Sequence, residues 1–257
     1  GAGFNAQWDA NFVHPVREAV IVPEDGQRSM DAIRDAIAFN HGGDAFRRVV
    51  YSESHDEVAN GRARVPHEID PDDNKGWFAR KRSTLAAGLV FTVPGIPMLF
   101  QGQEFLEGEW FRDDVPLDWN LRDEFRGIVR LYGDLARLRL NRNGFTRGLT
   151  GQHVDVHHVN DGENMIAFHR WADGGPGDDV VVVMNFANEA RENYRIGFPA
   201  EGRWELRFNS DAAIYSPDFG DGHAVGVDVQ AGNYDGKTAS AEISIAPYTV
   251  LIFSQNL

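Results

Sequence analysis

Between Val49 and Gly61 the sequence reads VVYSESHDEVANG, and its chemistry is concentrated in Glu53, His55, Asp56 and Glu57. A carboxylate accepts hydrogen bonds and stabilises positive charge; an imidazole gives or takes a proton near neutral pH. Following the β-type run Val49, Val50, Tyr51, these groups sit where a strand would end, which is where α/β proteins gather reactive side chains. A second run, IPMLFQGQEF from Ile96 to Phe105, also passes from apolar residues into Gln101, Gln103 and Glu104. Neighbouring strands lie about 4.8 Å apart, so the two polar ends can share one pocket. The same polarity also describes an ordinary strand running out into a solvated loop. The residues by themselves leave both readings open.

The elements that would position these groups alternate. Ser29 is placed to cap a helix with Met30, Ile33 and Ile37 on one face and Asp31 in its first turn, ended by Asn40-His41-Gly42-Gly43. A strand is predicted over Arg48–Ser52, a helix from about Trp77 to Phe91 that Pro94-Gly95 ends, and a second buried strand in the run from Ile96. Asn120 with Asp123 reads as a capping-box start for a helix carrying Phe125, Ile128, Val129, Tyr132, Leu135 and Leu138 on one side, stopping near Asn143-Gly144. Strand, helix, strand, helix is the order of a parallel α/β layer. After about Thr146 the rhythm changes to short β-type runs: HVDVHHV, NMIAFHRW, DVVVVMNF, NYRIGF, RWELRF, AVGVDVQA, AEISIA and YTVLIFS. Eight such runs between Gly, Asn and Asp clusters predict an antiparallel β-sandwich. The fold class is therefore α/β plus all-β, with an α/β portion over 1–145 and a sandwich over 146–257.

The bulk numbers narrow the ligand. The 257 residues carry 42% hydrophobic and 25% charged side chains, the balance of a globular protein, with a net charge of −14. That charge opposes nucleic acid and anionic membrane surfaces as partners, and leaves a neutral ligand such as a carbohydrate unopposed. The absence of cysteine excludes disulfides and thiolate chemistry. No apolar stretch approaches the roughly 20 residues that span a bilayer. With no secretory pattern at Gly1-Ala2-Gly3-Phe4, a cytoplasmic location is expected. DPDDNKGWFARK fails as a calcium loop, because Lys75 and Lys81 occupy the positions that require glycine and glutamate. His153, His157, His158 and His169 lack a carboxylate partner in a metal motif and read as solvated strand positions.

YSESHDEVANG resembles the fourth signature of the α-amylase superfamily of glycoside hydrolases, whose His-Asp pair follows the seventh strand of a (β/α)8 TIM barrel. VPGIPMLFQGQEF looks like the eighth strand and its loop. EGEWFRDDVPLDWNL is similar to the 1,4-α-glucan branching enzymes of that superfamily, and GFNAQWDANFVH to the segment after their sixth strand. The resemblance implies about strands 6–8 of the barrel followed by the family's C-terminal sandwich. It implies a retaining enzyme that cleaves α-1,4-glucan and transfers the glycosyl unit to a 6-hydroxyl without metal or organic cofactor. The alternatives are another hydrolase of the superfamily, for example a trehalose-releasing one, or a non-catalytic glucan-binding or assembly module. Asp56 would be the transition-state stabiliser and His55 its companion on the same sugar, with Glu57, Gln103, Glu104 and Trp110 as substrate contacts. Trp8, Trp77, Phe111 and Trp119 are further aromatic candidates, Trp77 being better read as packing. No nucleophile or acid/base motif of the family is present. The expectation is thus a C-terminal portion, inactive alone. Its open sheet edge would pair with the missing N-terminal part of the barrel or with a second copy.

Overall fold

The computed structural model describes residues 3–59, 62–220 and 224–257. Its first part runs β1 (Gln7–Trp8), α1 (Ala10–Ile21), α2 (Met30–Ala38), β2 (Arg48–Val50), α3 (Val65–Ile69), α4 (Trp77–Thr92), β3 (Ile96–Pro97), α5 (Asn120–Glu124) and α6 (Arg126–Arg139). β2 lies in the middle of a parallel sheet, paired with β1 through Gln7↔Arg48 and with β3 through Val49↔Ile96. Among the described residues this sheet is open, with β1 and β3 at its edges and no closed barrel.

Local chemistry explains most of these limits. The Ser29 hydroxyl accepts from the Ala32 N–H at 3.2 Å, so α2 begins where the cap predicts. Asp9 caps α1 by accepting from Asn11 N–H at 3.0 Å. Three expectations need correction. The strand from Arg48 ends at Val50, not Ser52. The strand expected to be buried from Ile96 has two residues, and Ile96 and Leu99 are 41% and 40% exposed. It is an edge strand in which Pro97 has no N–H to offer a further neighbour. Asn120 is the first residue of α5, not its cap, and its N–H is taken by the Asp118 side chain at 3.1 Å. The chain then bends at Phe125, so α6 buries Ile128, Leu131, Tyr132, Leu135 and Leu138 as a separate helix.

Buried guanidinium groups close the ends of the helices. Arg48 donates to the carbonyls of Ala36 (2.8 Å), Ile37 (2.9 Å) and Pro94 (2.9 Å), with Asp9 at 3.3 Å as its counter-charge. Arg139 donates to Val93 O at 2.6 Å, just past α4. Those of Ala36 and Ile37 are carbonyls that α2 leaves unsatisfied and those of Val93 and Pro94 follow directly on α4, all at the end where a helix dipole favours a cation. Burial brings Arg139 down to about 10, still charged at neutral pH.

The second part is antiparallel: β4 (His153–Asn160), β5 (Met165–Trp171), β6 (Val180–Asn185), β7 (Arg191–Phe198), β8 (Gly202–Asn209), β9 (Val227–Tyr234), β10 (Lys237–Ile245) and β11 (Thr249–Ser254). They hydrogen-bond in the order β4-β5-β6-β11-β8-β9-β10-β7. The series folds over an inner core in which Met165, Val181, Val183, Leu251 and Phe253 meet Phe198, Trp204, Val229 and Ile243. The opposite faces of β5, β6 and β11 place Ile166, Phe168, Val180, Val182, Val250 and Ile252 in one cluster with Leu85, Leu89 and Val90 of α4. Strands covered on both faces need apolar residues at every position. That is why VVVVM and TVLIF read as unbroken runs.

The histidines differ from expectation. His158 stands 3.0 Å from Asp235 through Nδ1 and 2.8 Å from the Tyr194 hydroxyl through Nε2. His169 Nε2 lies 2.9 Å from Asp179. His157 Nε2 meets the Gly197 carbonyl at 3.0 Å, and burial pulls its pKa down to about 4. The first and last strands of the series come together here, covering side chains that one strand alone would leave in water. Of the four, only His153 is exposed, beside the Trp171 ring. Among the described residues no helix is long and apolar enough to cross a membrane.

Candidate functional site

The chain leaving β2 stays buried through Tyr51, Ser52, Glu53 and Ser54, then turns outward. Ser54 O accepts from the N–H groups of Glu57 and Val58, each at 3.1 Å, which forms the turn. His55 and Asp56 ride on it with side chains 54% and 71% exposed, and His55 Nε2 lies 3.2 Å from Asp56 Oδ1. The Trp8 ring, at the end of β1, meets His55 edge-on with centroids 5.5 Å apart and also packs on Tyr51. Burial, with Glu57, Asp56 and Asp9 nearby, pushes the Tyr51 phenol up to about 12, so its hydroxyl remains protonated. Two strand ends thus present an aromatic ring, an imidazole and a carboxylate together.

Glu53 turns the other way. It is fully buried, and its carboxylate accepts from Val65 N–H at 2.7 Å and from Arg64 Nη1 at 3.3 Å. Burial pushes this carboxyl up from its ordinary range, opposed by Arg64, the Val65 amide and Arg17. Glu57 is mostly covered and lies among Arg17 Nε at 3.9 Å and Arg62 Nη1 and His14 Nδ1 at 4.0 Å. Arg17 also donates to Ser52 O at 3.0 Å and to Glu68 at 2.6 Å, holding the root of the turn.

Beyond β3, Gln103 is buried. Its amide donates to Ser52 Oγ at 2.5 Å and its carbonyl accepts from Phe100 N–H at 3.2 Å, tying the two strand ends together. Glu104 is half-buried at a 370 Å³ hollow with Leu99, Phe100 and Tyr132. Trp110 is 43% exposed on the wall of a 190 Å³ groove that Arg64, Gln101, Glu107 and Leu117 also line. The next residue binds the His55–Asp56 turn directly, through Phe111 N–H to Val58 O at 2.7 Å. Trp77 packs against Tyr248 and the core, as its helix position implies. The structure therefore brings His55, Asp56 and Trp8 to one surface, with the Trp110 segment hydrogen-bonded to it. Gln103 and Glu53 are turned inward as supports. Sequence reading missed Arg64 and Arg17, whose partners lie 11 to 51 residues away and follow no spacing rule.

An exposed imidazole–carboxylate pair beside aromatic rings can exchange several hydrogen bonds with a polyhydroxylated ligand while a ring face packs on its C–H groups. Known proteins resemble the chain in sequence and in fold. Residues 156–256 match the family described as "Alpha amylase, C-terminal all-beta domain". The chain is 30% identical over 260 residues to a 1,4-alpha-glucan branching enzyme of Pseudomonas syringae pv. tomato, covering 98% of this chain and 34% of that protein. It is 31% identical over 269 residues to one of Xanthomonas euvesicatoria, covering 99% and 34%. It thus spans about a third of the length of the curated relatives it matches. Its fold is shared with a pullulanase of Anoxybacillus sp. solved with maltotriose, at a TM-score of 0.66 and 19% identity over 97% of this chain and 34% of the other. Sequence identity along nearly its whole length, together with the matched all-β domain, makes this chain a member of the α-amylase superfamily, related to its 1,4-α-glucan branching enzymes.

Proposed function

We propose that the whole protein cleaves an α-1,4 bond in glucan and passes the glycosyl unit to a 6-hydroxyl. In this reading β1, β2 and β3 are the last strands of a (β/α)8 barrel, 1–145 is its final portion, and the all-β domain occupies 146–257. Asp56 accepts hydrogen bonds from sugar hydroxyls that tighten as the ring flattens towards an oxocarbenium-like transition state, which favours that state over the ground state. His55 binds the same sugar. Trp110 offers a stacking face and Glu104 contributes at the rim, while Glu57, drawn towards Arg17, holds the turn that carries the pair. Gln103 acts by fixing Ser52 at the root of the turn. The nucleophile and acid/base are supplied by residues outside these 257, so the chain alone turns over no glucan. No cofactor enters the reaction.

The observation that carries this reading is the projection of His55 and Asp56 beyond an otherwise buried strand end, beside Trp8. The relatives' printed activity supports the acceptor, and the net charge of −14 suits a neutral polymer. Asp56→Asn in the complete protein tests it. Branching, followed by the iodine spectrum and by NMR of new α-1,6 linkages, should fall about a hundred- to a thousand-fold, the worth of one oriented hydrogen-bonding group of this kind. Stability should stay within about 0.5 kcal/mol because the side chain is exposed. Undiminished turnover would remove Asp56 from the reaction. Release of reducing ends without branch points would make water the acceptor.

A further inference from the structure

The groove beside Trp110 and the His55–Asp56 turn belong to different loops, and one buried side chain reaches both. Arg64 is 1% exposed. Its Nη1 lies 3.3 Å from Glu53, in the root of the turn, and donates at 2.8 Å to the Gln101 carbonyl in the loop after β3. Its Nε donates at 2.9 Å to the carbonyl of Glu109, the residue before Trp110. Its Cζ lies over the Phe100 ring, 4.8 Å from the centroid. The backbone of Arg64 precedes Val65, whose N–H is held by the same Glu53. One guanidinium therefore measures the separation of three segments. A lysine, with one ammonium, cannot span them.

We propose that Arg64 is a positioning residue that sets the Trp110 ring in register with the His55–Asp56 pair, so that one glucan chain meets both. This rests on the reading of that surface as a glucan site. Arg64 touches no sugar itself; it acts through the Glu109 carbonyl on Trp110 and through Glu53 on the turn. The Phe111 N–H bond to Val58 O is the direct link between the two loops and reports whether they are in register.

The test uses the complete protein with Arg64→Lys, which keeps the charge and loses the fork. Hydrogen exchange at the Phe111 amide should rise about ten-fold while the Leu89 amide in α4 is unchanged. Affinity for maltoheptaose should fall about ten-fold, and adding Trp110→Ala should cost less than about two-fold beyond Trp110→Ala alone, because both changes remove the same contact. Unchanged exchange at Phe111, a uniform rise that includes Leu89, or affinity losses that multiply would overturn the proposal. If the unsubstituted protein binds no maltoheptaose, the glucan reading fails and the exchange result alone decides the role of Arg64. Should Arg64→Lys not fold, Glu53→Gln replaces it. That change keeps an acceptor for Val65 N–H and removes the charge that orients the guanidinium, so exchange at Phe111 should rise about three-fold, and no rise would refute the positioning role.

Discussion

The seam between the α/β part and the all-β domain contains a buried ion pair whose removal has a calculable effect. Lys81 of α4 is fully buried, with Nζ 2.5 Å from Asp211 Oδ1 and 2.9 Å from Thr249 Oγ1. Replacing it by methionine, of similar length, leaves the 2%-exposed Asp211 without its cation. Breaking a buried pair from one side costs about 3–5 kcal/mol, because the abandoned charge stays desolvated. At this chain length about 1 kcal/mol moves the melting temperature by 2–4 °C, so Lys81→Met should lower it by roughly 10 °C. Lys81→Met combined with Asp211→Leu should recover most of that loss, since neither charge is then stranded.

The same pair gives a pH signature. Burial, opposed by Asp211, lowers the Lys81 ammonium from 10.5 to about 8. Below pH 8 the amine is charged in both folded and unfolded chains, and its desolvation weighs fully against folding. Between about 8 and 10.5 the folded protein sheds a proton that the unfolded chain keeps, so this group's contribution to stability improves as pH rises, by up to roughly 3 kcal/mol. Urea unfolding of the parent and Lys81→Met from pH 7 to 10.5 measures it: the difference between the two curves isolates this titration from those of the tyrosines. A single variant as stable as the parent, a double variant no better than the single, or parallel pH curves would refute the account.

Two smaller perturbations test the fold. Ser29→Ala removes the acceptor of the Ala32 N–H at an exposed helix start, and should cost about 1 kcal/mol in urea unfolding without altering the circular dichroism of the folded state. Gly88→Ala would place a methyl 2.4 Å from Val250 Cγ2, where α4 crosses β11. It should destabilise by about 1–3 kcal/mol, and Val250→Ala in the same chain should restore part of that in thermal melts.

How much of this was legible in the sequence depended on how local the deciding interaction was. All eight antiparallel strands stand where β-type runs alternate with turn residues, because strand formation there is decided by side chains a few positions apart. Ser29 and its helix were legible for the same reason. The histidines were not. His158 depends on Asp235, 77 residues away, and that pairing exists only once the turn between β9 and β10 has come over β4. The α/β strands were overestimated because apolar content says nothing of whether a neighbour is present: Ile96 and Leu99 carry strand residues to an edge that has none. The candidate site shows both cases within five residues. Glu53, His55, Asp56 and Glu57 look equivalent as a charged cluster, yet Glu53 faces inward because Arg64 and Val65 N–H await it, and Glu57 is drawn among Arg17, Arg62 and His14. Only His55 and Asp56 have both side chains left to the solvent. Their exposure is produced by the inward pairing on either side of them, so the supports and the exposed pair are one construction.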